Sequence, residues 1–162
     1  MTTYWHMQIH PDDVSFSDEH LHAILEQRSI IGVGEWEKGQ PTIYKFNNIM
    51  KVNDIVAIKK GAKLIALVQI IGGAYQVTDD DSPITGWIEH RRPIRVLDWE
   101  LWGRELPQPR GTLERCASDV ETTNIIRGLT LSGTKTHVKQ RFLPLTPLLM
   151  VSDVLWSPVL PA

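Results

Sequence analysis

The chain has 162 residues, of which 42% are hydrophobic and 22% are charged, and its formal net charge of −2 argues against a surface that grips phosphates everywhere. Its single cysteine, Cys116, excludes an internal disulfide framework and fits a reducing cytoplasm. The N-terminus lacks the pattern of a signal peptide, and prolines and Asp153 interrupt the apolar C-terminus, so no membrane span or membrane partner is expected.

The first elements in chain order are a strand and a helix. Residues 3–10, TYWHMQIH, alternate and are rich in aromatic and β-branched types, which predicts a strand. Ser17 is a good N-cap for a helix in the next segment, where Leu21, Ile24 and Leu25 follow amphipathic spacing. Residues 43–50, IYKFNNIM, are predicted as a short helix or an irregular connection.

A hairpin follows, and it is the clearest signal in the chain. Residues 52–59 and 63–70 form two strands around a turn at Lys60-Gly61, and both are so apolar that burial on both faces is expected. Further along, GGAYQV predicts extended structure, TDDDSPITG a loop, Pro93 to Trp99 a strand and residues 112–129 one or two short helices. The prediction is a mixed α+β domain over residues 1–162, with a strongly curved sheet or small barrel and flanking helices.

Six tryptophans are a high number for this length. Three of them lie in or beside predicted strands and are expected in the core: Trp5, Trp99 and Trp102. Trp36 and Trp87 each follow a glycine-containing loop, GVGEW and PITGW. Aromatic walls on loops can sandwich a planar base, with about 1–3 kcal/mol per stacked base. We therefore predict that Trp36 stacks on a modified base, opposite Trp87 or Tyr75, although the core remains the alternative place for both tryptophans.

A base drawn into a pocket also needs its polar edge read. The predicted readers are the backbone of Ile31 to Gly34, including Val33, and the amides of Asn47 and Asn48. Phosphates would be held by positive clusters, which position a strand while the pocket discriminates. The predicted phosphate contacts are Lys59, Lys60, Arg91, Arg92, Lys135, Lys139 and Arg141.

The order YWHMQIHPDD, GVGEW, MKVNDIVAIKKGAKLIALVQIIG and HRRPIRVLDW resembles the EVE domains, relatives of YTH and ASCH domains in the PUA-like superfamily. The likeness covers residues 4 to 100, and the hairpin is its most specific part. It departs at Asn53, where the family has glycine and where a residue that tolerates positive φ would serve. Residues 101–162 align with nothing in the family and are expected to add helices and a C-terminal extension.

The resemblance implies a PUA-like fold, and it implies that Trp36 occupies the place of a cage tryptophan in YTH domains. The spacing after IIGVGEW and the segment HRRPIRV look closer to EVE-like modules at the N-terminus of McrBC-type restriction proteins than to other EVE domains. Such modules imply double-stranded DNA with a methylated base as partner, beside a motor or nuclease domain or subunit. RNA is the alternative ligand.

Two other classes of function remain open. An enzyme would need a compact catalytic set, but Cys116 has no local signature, and paired histidines such as His6 and His10 lack a third metal ligand. The acidic run at 79–81 is typical of a solvated turn, and GVGEWEKG lacks the features of a phosphate loop. We expect no catalysis, cofactor or metal. A protein-interaction module would use the same two tryptophans, since tryptophan is enriched in interface hot spots.

Overall fold

Seven strands form one sheet in the part of the chain that the computed structural model describes, residues 1–10, 16–100, 103–106, 111–117 and 123–131. The strands are β1 (Tyr4–Gln8), β2 (Ile30–Val33), β3 (Ile55–Lys60), β4 (Lys63–Ile70), β5 (Tyr75–Gln76), β6 (His90–Trp99) and β7 (Leu113–Arg115). Their order is β2-β6-β4-β3-β1-β7, with β5 also paired to β6. Only β1 and β3 run parallel. The sheet curls into a half-barrel, which confirms the predicted α+β class.

Two short helices flank the sheet. Helix α1 (Asp18–His22) starts at Ser17, whose hydroxyl accepts from the His20 amide while the His20 ring accepts from the Ser17 amide. It continues as a π-helical turn, Ala23–Gln27, and buries the predicted apolar face. Helix α2 (Gln40–Tyr44) follows a 3₁₀ turn, Glu37–Gly39, and continues as a second π-helical turn, Lys45–Ile49. The Ser17-capped helix is confirmed, and residues 43–50 are helical up to Ile49.

The predicted hairpin is present and is buried on both faces. One face of β3 places Val56 and Ile58 in the main core, with β1 and α1, whereas the other places Ile55 and Ala57 in a second apolar cluster. The helical residues 123–131 contribute to that second cluster. The hairpin turn lies one residue later than predicted, at Gly61-Ala62, because Lys60 still pairs with Lys63. Asn53 has φ +74°, so the residue at this position does adopt a positive φ, which asparagine tolerates better than most residues.

Two sequence predictions were wrong in detail. Residues Leu113–Arg115 form a strand, not a helix, because they pair with β1, a contact that local propensity does not reveal. Among the residues of this region that the structure describes, 111–117 and 123–131, the helical ones are 123–131. Strand β6 begins at His90, three residues before the predicted start at Pro93, since its first half pairs with β2 and β5 and its second half with β4. No helix built from the described residues has the length and apolar character needed to cross a membrane.

Candidate functional site

A pocket of about 490 Å³ lies where both edges of the curled sheet approach each other. The β2 edge supplies Val33 and the loop after it, and the other edge supplies Gln8 from β1 and Thr112 from just before β7. This volume falls in the ordinary range for small-ligand sites. Four of the six residues predicted for a base pocket line it together: Val33, Gly34, Trp36 and Trp87. The other lining residues are His10, Gly32, Glu35 and Glu89.

Trp36 is exposed to solvent and packs against the backbone of Gly39. Its side chain is 37% exposed, and its extended backbone leads directly into the 3₁₀ turn that ends at Gly39. A Cβ atom built on Gly39 would overlap three ring atoms of Trp36, so the indole lies flat against the glycine backbone. The amide of Gly39 also donates to the Trp36 carbonyl at 3.0 Å. Glycine at position 39 therefore lets the Trp36 ring pack closely against the backbone at a place that the core does not cover.

Trp87 is the fixed wall of the pocket. It is half-buried against the main core, and its Nε1 donates to the Ile84 carbonyl at 2.9 Å. Phe16 meets it edge-on, with the ring centroids 5.9 Å apart. A Cβ atom at Gly34 would come within 2.8 Å of the Trp87 carbonyl oxygen, so only glycine fits between this loop and the Trp87 backbone without a shift. The glycines of GVGEW thus serve close packing around the pocket.

The other two predicted pocket residues lie outside the pocket lining. Tyr75 is exposed on β5, where it pairs with Arg91. Asn47 contacts His90, whose Nδ1 is 3.1 Å from the Asn47 amide nitrogen, and neither residue is among those that line the pocket. Asn48 is exposed and donates to the Tyr44 carbonyl at 3.2 Å.

Glu35, Glu89 and His90 form a polar corner beside the tryptophans. The Nε2 atom of His90 lies 2.7 Å from a carboxylate oxygen of Glu35. Since the Asn47 amide donates to Nδ1, the proton of the neutral ring is on Nε2 and is donated to Glu35. This hydrogen bond from His90, and a second from Gln40, hold the pKa of Glu35 below its usual value. Sequence reasoning missed both acids, although Glu35 stands inside GVGEW, because charged loop residues are usually solvated.

The same corner has the composition of a metal site. One ligand atom from each of Glu35, Glu89 and His90 lies within 4.8 Å of the others. However, His90 could ligate a metal through Nε2 only if that atom gave up the proton it donates to Glu35. Carboxylates and imidazole suit zinc or manganese, but a metal on Nε2 would leave the ring proton on Nδ1, where the Asn47 amide nitrogen, itself a donor, cannot accept it.

Arg91 does not have the exposure that a phosphate contact needs. Its Nε donates to the Ile88 carbonyl at 2.7 Å, and a terminal nitrogen donates to the Thr85 carbonyl at 2.8 Å and to Asp80. Hydrogen bonds from the Thr85 hydroxyl, the Ser82 amide and Arg91 keep the pKa of Asp80 far below its usual range. The predicted role of Arg91 is therefore corrected: it fastens the acidic loop onto the sheet.

Arg92 is likewise a structural residue and is only 4% exposed. Its guanidinium donates to the carbonyls of Phe46, Asn47 and Met50, at the end of the second π-helical turn, and to that of Gly72. The last carbonyls of a helix have no partner within it, and buried ones need donors from elsewhere. The predicted phosphate contact at Arg92 is therefore wrong for this conformation, because its donors are engaged inside the protein.

The other predicted phosphate contacts divide into three groups. Lys59 is 1% exposed, and burial lowers its pKa, so it is not a surface cation. Lys60 is exposed and bonded to Asp18 at 2.6 Å. The remaining predicted contacts lie outside the described residues: Lys135, Lys139 and Arg141. Exposed positive charge is found elsewhere, in a second pocket of about 650 Å³ beside the start of β1, where Lys51, Arg115 and Arg127 contribute.

No protein-family profile and no curated protein matches the sequence. Among solved structures, the chain is similar to the YTH domain of the Zygosaccharomyces rouxii MRB1 protein in complex with N6-methyladenosine RNA. The TM-score is 0.51 at 9% identity, and the match covers 82% of this chain and 87% of that one. The chain has a YTH-like fold.

Two further neighbours have lower TM-scores. A hypothetical protein from Leishmania major gives 0.49 at 13% identity, over 82% of this chain and 96% of that one. A protein from Agrobacterium tumefaciens gives 0.43 at 12% identity, over 80% and 93%.

Proposed function

We propose that this chain is a reader of nucleic acid, which binds a modified base in the pocket between Trp36 and Trp87. The observation that carries this proposal is the seating of Trp36. Its indole is exposed, yet it is held in one place by Gly39 and faces a pocket whose other wall, Trp87, is anchored in the core. A fixed, uncovered aromatic face is what a base needs for stacking.

The YTH-like fold supports the same assignment, because the YTH neighbour is in complex with RNA that carries N6-methyladenosine. Backbone phosphates would contact exposed cations, since Arg91 and Arg92 are bonded inside the protein and Lys59 is buried. Lys38 is exposed and stands two residues after Trp36, within the 3₁₀ turn, so it is the first candidate for such a contact. Phosphate contacts position the strand, and the pocket supplies the selectivity.

The finer proposal is that the ligand is DNA and that the chain serves a modification-dependent restriction system. It rests on the resemblance of GVGEW, the hairpin and HRRPIRV to McrBC-type modules. In that role the chain binds, and a separate motor and nuclease perform the chemistry. The state of Cys116 fits a binding role, since burial raises the pKa of its thiol, the opposite of an activated nucleophile. RNA is the second candidate ligand, favoured by the RNA in the YTH complex.

Fluorescence titrations with matched DNA duplexes and RNA strands test this proposal. Each ligand carries one modified base or its unmodified counterpart, and tryptophan emission reports stacking. We expect tighter binding of a modified ligand, with quenching and selectivity lost in Trp36→Ala but kept in the matched control Tyr44→Ala, an exposed aromatic outside the pocket lining. Equal binding of modified and unmodified ligands would reject the reader. Salt-insensitive binding of a protein partner through Trp36 would instead support an interaction module.

A further inference from the structure

Two carboxylates face the proposed base pocket, and only one of them accepts hydrogen bonds from the described residues. Glu35 accepts hydrogen bonds from His90 and Gln40. Glu89 lines the same pocket, and its carboxylate receives no hydrogen bond or ion pair from any residue in the described ranges. Carboxylate oxygens of the two acids lie within 4.8 Å of each other. At this separation two negative charges repel, and solvent screens part of the repulsion because the Glu35 side chain is 43% exposed.

The lining of the pocket contains no lysine or arginine among the described residues, so the excess charge is negative. Trp36 and Trp87 add the electron-rich faces of two indoles, the aromatic groups that attract cations most strongly. Both features favour an occupant that is flat, positively charged and equipped with N–H donors. A neutral base would satisfy the stacking surfaces but would leave the charge of Glu89 without a counterpart.

We propose that the pocket selects bases methylated on a ring nitrogen, which carry a positive charge, such as 3-methylcytosine, 1-methyladenine and 7-methylguanine. This inference rests on the proposed function and specifies the class of mark. Each of these bases keeps an exocyclic amine that can donate to Glu89, while the charged ring stacks on Trp36. In 3-methylcytosine and 1-methyladenine the methyl group also blocks base pairing, which lowers the cost of moving the base out of a duplex.

Isomeric bases provide a sharp test. A 3-methylcytosine has the same non-hydrogen atoms as 5-methylcytosine, and 1-methyladenine the same as N6-methyladenine, but only the first of each pair holds an additional proton at neutral pH and is therefore a cation. Single-stranded oligonucleotides that carry one such base are titrated against the whole chain, with EDTA present so that no divalent cation competes for the carboxylates. We expect the cationic isomer to bind about tenfold tighter, the combined scale of a cation–π contact at a partly exposed site and of attraction by the pocket carboxylates.

The variant Glu89→Gln removes one negative charge with little change of shape, and we expect it to reduce the preference for the cationic isomer several-fold, leaving only the part that the tryptophan faces and Glu35 contribute. Glu26→Gln is the matched control, since Glu26 is exposed on the first π-helical turn and is not among the lining residues. Equal or tighter binding of the neutral isomers, or a preference that is undiminished in Glu89→Gln, would overturn the inference while the reader function stands. If no modified strand bound better than its unmodified counterpart, both would fail. The isomer comparison in the unaltered chain decides even if Glu89→Gln does not fold.

Discussion

Substituting Gly39 with alanine should impair the pocket without touching any group that contacts the ligand. The Cβ atom of an alanine would lie inside the ring of Trp36, where contacts closer than 3.0 Å force something to move. Because Trp36 is the exposed partner, its indole is the group that swings away. The backbone at position 39, with φ −92° and ψ −1°, is one that alanine adopts without strain.

The magnitudes separate a loss of binding from a loss of folding. Stacking on one aromatic ring contributes about 1–3 kcal/mol, so an indole out of position should weaken binding of the modified base roughly 5- to 150-fold. Alanine is less favourable than glycine as the N-cap of α2, but it also restricts the unfolded chain. These effects nearly cancel, so Tm should change by no more than about 4 °C.

The assay is a binding titration with modified and unmodified strands, accompanied by thermal melts of Gly39→Ala and the parent chain. A matched control is Gly73→Ala, where a Cβ atom would meet no atom within 4 Å. Full affinity in Gly39→Ala would refute the claim that the seating of Trp36 matters for binding. A large drop in Tm would show that Gly39 stabilises the fold instead.

Three further predictions concern stability. Arg92→Ala leaves four backbone carbonyls without their donor, and at about 3 kcal/mol it should lower Tm by roughly 6–12 °C, whereas the exposed Arg95→Ala should shift it by about 2 °C or less. Trp5→Phe removes a buried 2.9 Å hydrogen bond to Asp54 and should lower the free energy of unfolding, measured by urea melts, by about 2 kcal/mol. An unchanged free energy would show that this bond does not stabilise the fold. Burial, then the charge of a nearby lysine, lowers the pKa of His6 from 6.5 to about 4, so the folded state resists protonation while the unfolded state accepts it. Stability should therefore fall as pH drops from 6.5 to 4, by up to about 3 kcal/mol more than in His6→Phe, and parallel pH profiles would contradict this.

Local signals in the sequence were sufficient where neighbouring residues determine the structure. Ser17 caps α1 because its hydroxyl and the His20 ring satisfy backbone groups three residues away. The hairpin turn was placed within one residue because its strands are adjacent in the chain. Strand β7 was missed because its partner β1 is about a hundred residues away, and the sequence of Leu113–Arg115 is equally compatible with a helix.

The candidate site was predicted in its aromatic half and missed in its charged half. Glycine-flanked Trp36 and Trp87 are unusual enough in sequence to indicate a pocket, and both line one. Glu89 is an ordinary acid until the pairing of β6 with β2 and β5 turns it toward the same pocket. Arg91 and Arg92 failed as phosphate contacts, because a cluster of positive charge in sequence does not reveal buried carbonyls that need donors.

The residues that line the pocket come from both edges of the half-barrel, whose sheet is open. A ligand bound there would contact β2 and the start of β6 on one side, and Gln8 and Thr112 on the other. It would therefore link the two edges of the half-barrel. Binding would then stabilise the curled sheet as a whole against unfolding, rather than reduce the motion of a single loop. Slowed amide hydrogen exchange should therefore appear in β1 and β2 together, even though the two strands lie far apart in the strand order.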